Sequence, residues 1–105
     1  MKNRRVKIRT LDINCLEWFD RINGNSYFAA TIIVNYQMQT ERKFILPFQY
    51  GYGDHYKHMA FKRLQTEGYI FKDAISPWRY YEEKNIIVRY SKKENCLQRE
   101  LKQLS

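Results

Sequence analysis

The segment PFQYGYGDHYKHMAFKRL, residues 47–64, places two of the chain's four glycines, Gly51 and Gly53, one residue apart ahead of a helical pattern. A glycine-rich turn at a helix N-terminus can aim backbone N–H groups at an anion. The spacing fits neither the P-loop nor the dinucleotide fingerprint, and no Lys-Ser or Lys-Thr pair follows it. Asp54 stands where a helix cap is expected, so its carboxylate would use the same N–H groups and repel a phosphate. The loop therefore reads as a strand-to-helix bend, with Tyr50 and Tyr52 beside it as exposed contact residues.

His55 and His58 share a helix face, but nothing nearby supplies a matching carboxylate or thiolate as third and fourth metal ligands, and no metal site is expected. His58 and Lys62, on the solvated face of that helix, join Tyr50 and Tyr52 as partner-contact residues. Cys15 and Cys96 lie far apart, with no neighbouring histidine in sequence. In a reducing compartment they act as two small apolar residues; a disulfide between them stays open. Glu82 and Glu83 are adjacent, which points them to opposite faces of a strand, a poor arrangement for paired acid–base work. No G-x-S-x-G elbow is present. The expectation is a non-enzymatic protein with no cofactor.

Charge is the strongest global signal: 19 Lys and Arg against 11 Asp and Glu, a formal +8. A field of that sign speeds encounter with polyanions or acidic protein surfaces. Arg4, Arg5, Lys7 and Arg9 all precede the first acidic residue, Asp12. On a strand, Arg5, Lys7 and Arg9 would stand roughly 7 Å apart, comparable with phosphate spacing along a nucleic acid. Lys92, Lys93, Arg99 and Lys102 form a second basic cluster. Two tryptophans, nine tyrosines and six phenylalanines provide rings on which bases could stack, which favours RNA or single-stranded DNA. The plainer readings are a solubility charge and a charged edge strand that discourages aggregation.

These residues need elements to hold them. Arg5-Val6-Lys7-Ile8-Arg9 alternates charged and apolar, the period of a half-buried strand. Residues 16–22 read as a second strand, closed by the hairpin signal Asn23-Gly24-Asn25. Residues 26–36 form a long strand, 37–42 a turn, and 43–50 a returning strand that Pro47 marks as an edge or a bulge. A helix capped by Asp54 runs to about Glu67, with Tyr56, Ala60 and Leu64 on one line and Gly68 as its left-handed C-terminal cap. A loop ends at Ser76-Pro77, and residues 78–81 and 85–90 read as a second hairpin. Ser91-Lys92-Lys93-Glu94 has capping-box spacing and opens a helix with Leu97, Leu101 and Leu104 on a stripe. The fold class is α+β: a single domain over residues 1–105, with a mainly antiparallel sheet of five to six strands and two packed helices. No apolar run approaches the roughly 20 residues that span a bilayer. No signal peptide is evident, and a cytoplasmic protein without a membrane partner is expected. Unpaired edge strands leave room for a homodimer, for which the sequence gives no positive sign.

The segments WFDRINGNSYFAATIIVN and PFQYGYGDHY, with the Ala, Leu and Gly-Tyr that follow as far as Tyr69, resemble small bacteriophage-encoded proteins. The shared features are turn and core residues, so no functional residue carries over. In length and charge the chain is also similar to phage-encoded inhibitors of host defence such as anti-CRISPR proteins. That resemblance implies a CRISPR-Cas effector or its guide RNA as target, in the host cytoplasm. Most such inhibitors mimic acidic nucleic acid or bind protein surfaces, and a charge of +8 departs from mimicry. Binding to nucleic acid or a ribonucleoprotein is what remains. The alternative is a protein-interaction or structural module that touches no nucleic acid.

Overall fold

A computed structural model describes residues 7–104. The elements are β1 (Thr10–Asp20), β2 (Asn25–Val34), β3 (Arg42–Tyr50), α1 (His55–Thr66), α2 (Pro77–Glu83), β4 (Ile87–Lys93) and α3 (Gln98–Leu104). They form an α+β unit with a four-stranded mixed sheet in the order β3-β2-β1-β4. β1–β2 and β2–β3 are antiparallel, whereas β4 joins the outer edge of β1 in parallel. The sheet thus has fewer strands than the five or six expected, and three helices are described where two were expected.

Alternation along the strands separates two cores. Leu11, Ile13 and Cys15 of β1 and Phe28, Ala30, Ile32 and Val34 of β2 pack with Tyr56, Ala60, Phe61 and Leu64 of α1 and with Tyr81 of α2. Residues of opposite parity, among them Leu16, Trp18, Tyr27 and Ala29, pack on the other face with Leu101 and Leu104 of α3. The sheet therefore lies between α1 and α2 on one side and α3 on the other. Burying a side chain such as Leu64 stabilises the fold by roughly 2 kcal/mol, and the inward parity sets which neighbours face solvent.

The β1–β2 hairpin turns where Asn-Gly marks it, by its own mechanism. Gly24 alone takes positive φ, at +73°, and the Asp20 carboxylate accepts from the backbone N–H groups of Ile22 and Asn23. β2 ends at Val34, because Asn35 turns left-handed at φ +54°. Pro47, which has no N–H to give a ladder, lies in a bulge on edge strand β3: Phe28 faces Gln49 while Ala30 faces Leu46. Gly51 approaches His55 so closely that a Cβ there would lie 2.6 Å from the His55 Cδ2. Gly68 ends α1 as anticipated, at φ +88°, with Tyr69 N–H donating to the Leu64 carbonyl and Gly68 N–H to that of Gln65.

Several expectations fail for identifiable reasons. Lys7, Ile8 and Arg9 are not a strand, since the ladder starts at Thr10; Arg4, Arg5 and Val6 lie outside the described residues. Trp78, Arg79, Tyr80 and Tyr81 belong to a helix and not to a hairpin: the Ser76 hydroxyl accepts from Arg79 N–H, and Pro77 occupies the first turn. Ser91, Lys92 and Lys93 continue β4, so Ser91 caps nothing. α3 begins at Gln98, where the Glu100 carboxylate accepts from Leu97 N–H at 2.6 Å, and Leu97 itself stays exposed. Asp54 precedes α1, but its side chain makes no capping bond and pairs with Lys57 at 3.4 Å.

Candidate nucleic-acid interface

The starts of β1, β3 and β4 and the end of β2 lie at one end of the sheet, because Leu11 faces Val34 and Val88, and Val34 faces Arg42. Lys7 and Arg9 lead into that end, and Arg42 and Lys43 open β3 there; all four are exposed. Asn35 ties the pieces together. Its Oδ1 accepts from Arg9 N–H at 2.7 Å, and its Nδ2 donates to the Lys7 carbonyl at 3.0 Å and to Thr40 Oγ1 at 2.9 Å. Beside them a groove of about 670 Å³ is lined by Lys7, Tyr69, Phe71, Tyr80, Glu83 and Lys84, among others. Lys84 Nζ lies 5.4 Å from the Phe71 ring centre, and that ring is itself exposed. Cation and ring so combined suit a phosphate with a neighbouring base. None of Lys7, Arg9, Arg42, Lys43 and Lys84 forms an ion pair among the described residues.

The other expected cluster lies elsewhere. Lys92 and Lys93 face Cys15 and Leu16, so they stand some seven residues along β1 from Arg9, roughly 20 Å. Lys92 is occupied: its Nζ meets the Glu17 carboxylate at 3.1 Å and donates to the Gly53 carbonyl at 3.2 Å. Lys93 pairs with Glu100 at 3.7 Å, and Arg99 is exposed on α3. Tyr50 and Tyr52 are exposed at this same far end, with the Tyr50 ring edge-on to Tyr27 at 5.8 Å. His58 and Lys62 are exposed on α1. The structure therefore does not bring Lys7 and Arg9 together with Lys92 and Lys93.

Arg42, Lys43 and Lys84 were missed in the sequence because they sit singly or in pairs beside turns. The available signal was Arg42-Lys43 at the mouth of a strand whose partner ends in line with β1. Cys15 is buried, and that burial pushes its thiol up to about 12, the reverse of what a nucleophilic thiolate needs. Cys15 and Cys96 are both free thiols and belong to cores on opposite faces of the sheet, so no disulfide joins them. Among the described residues, no three His, Cys, Asp or Glu side chains gather as metal ligands, and no helix is long and apolar enough to cross a membrane. The chain matches no family model, no curated protein and no solved structure.

Proposed function

We propose that this is a non-enzymatic nucleic-acid-binding protein that grips a phosphate backbone at the basic end of its sheet. The supporting observation is the contrast between the two ends. Among the described residues, Lys7, Arg9, Arg42, Lys43 and Lys84 carry charge with no carboxylate paired to it, whereas Lys92 and Lys93 are neutralised locally. The exposed Phe71 ring beside Lys84 favours a single strand, whose bases are free to stack. When the strand belongs to a ribonucleoprotein, occupying it would block the effector, the role implied by the likeness to inhibitors of host defence.

Anisotropy titrations of labelled single-stranded RNA, single-stranded DNA and duplex DNA over a salt series test this. Replacing Arg9, Arg42 and Lys43 together by Gln is expected to take about 2 off the log–log salt slope, each lost phosphate contact removing about 0.7. A triple variant that binds as wild type sinks the proposal. A second reading, a protein partner seated on exposed Tyr50 and Tyr52, gains if Tyr52→Ala abolishes complex formation while the slope stays put.

A further inference from the structure

A second groove adjoins the basic one and shares Ile86 with it. It runs between the first turn of α1, α2 and β4, holds about 580 Å³, and is walled chiefly by Lys57, His58, Trp78, Tyr81, Glu82 and Tyr90. That volume falls in the range of small-molecule sites.

Three features define what would fit. Trp78 is 69% exposed, a large ring left bare on a groove wall. Tyr81 is the opposite: only 5% exposed, it lines the groove from the core. Its ring thus gives the groove an apolar wall backed by the core. The third feature is charge. Lys57 already occupies the face of the Tyr90 ring, its Nζ 4.3 Å from the centroid, and pairs with Asp54. The place a cationic ligand would take is therefore filled. Glu82, which forms no ion pair among the described residues, would repel a phosphate. The occupant left is neutral and planar, and it carries N–H donors for the Glu82 carboxylate.

We propose that this groove takes one unstacked nucleobase bearing an exocyclic amine, its ring against Trp78 and its donor edge toward Glu82. The base comes from the strand whose phosphates lie over Lys7 and Lys84, with Ile86 as the shared wall. Carboxylates accept well from the cytosine amine, and thymine has no such donor. The path of the strand rests on the function proposed above, but the groove's fit to a base does not.

Two experiments separate the claims. In the first, ten-nucleotide strands of deoxycytidine, of thymidine and of abasic sites, equal in charge, are titrated over a salt series. The cytidine strand is expected to bind about tenfold tighter than the abasic one, as stacking on an aromatic ring provides. Trp78→Leu, a change on the surface, removes that margin and leaves the salt slope as it was. Glu82→Ala removes the preference for cytidine over thymidine. In the second, phosphate-free deoxycytidine is added while backbone amide signals of Trp78 and Val88 are followed by NMR. Equal binding of all three strands together with unmoved amides overturns the base site and leaves the backbone reading standing. Moved amides without salt-dependent strand binding keep the base site and overturn the backbone reading.

Discussion

Position 35 carries an asparagine that is 1% exposed, held at φ +54°, with both polar atoms of its side chain engaged. Its Oδ1 serves the backbone N–H groups of Arg9 and Thr10, while its Nδ2 reaches Lys7 and Thr40. Asparagine tolerates this backbone region better than most residues, and its amide can both donate and accept. Alanine can do neither. Asn35→Ala is expected to cost roughly 2–4 kcal/mol, through orphaned backbone groups and a disfavoured φ. A lower urea midpoint at unchanged slope checks this. Nothing in the sequence marked Asn35 out: the β-branched run before it reads straight through to Tyr36, and only the long-range bonds show where the strand stops. Lys92 and Lys93 were equally indistinguishable as letters. Register with Glu17 is what converts one of them into a structural group.

Elements with strong local signals were legible, and those decided by tertiary contacts were not. α1 and its glycine terminator could be read because periodicity and cap agree. In α2, the aromatic residues Trp78, Tyr80 and Tyr81 suggested a strand, but Ser76-Pro77 is a helix start, and Tyr81 needs the α1 side of the core. β4 is the hardest case, since its partner β1 lies 77 residues earlier, as the pairing of Asp12 with Arg89 shows. Its attachment depends in part on Lys92, which bridges Glu17 of β1 and the Gly53 carbonyl before α1. Lys92→Met leaves Glu17, largely buried, without its cation. A loss of about 1–3 kcal/mol is expected, below the figure for a fully buried pair. Strand affinity should fall less than for Arg9→Gln, which separates the lysine's structural role from phosphate contact.

For the molecule as a whole, the α+β class followed from alternating and helical periods, while the number of strands did not, because Lys7, Ile8 and Arg9 share the alternation without joining the ladder and residues 78–81 form a helix. Folding also sets a response to alkali. Burial raises the Cys15 thiol from 9.0 to about 12 and the Tyr56 phenol from 10.0 to about 12, and it pushes Tyr81 upward as well. In each case burial disfavours the ionised form. The unfolded chain therefore releases these protons from about pH 9–10, while the folded chain holds them to about 12. Their contribution is complete below pH 9 and is lost as pH rises toward 12. Thermal melts are expected to fall progressively over that window, and Tyr56→Phe, with no phenol to ionise, should decline less steeply.

The parallel pairing of β1 with β4 also sets an order of events on the ribosome. β1 can zip to β2 as soon as the hairpin emerges, but its other edge waits for residues 87–93. At 5–20 residues per second, the 77-residue separation of Asp12 and Arg89 corresponds to roughly 4–15 s of synthesis. Throughout that interval β1, an inner strand of the finished sheet, is a temporary margin, open to any extended chain nearby. Asp12 and Asn14, which later meet Arg89 and Ser91, put a charge and an amide along that margin while it is bare. The side chains that later fasten the last strand thus first serve to keep its place vacant.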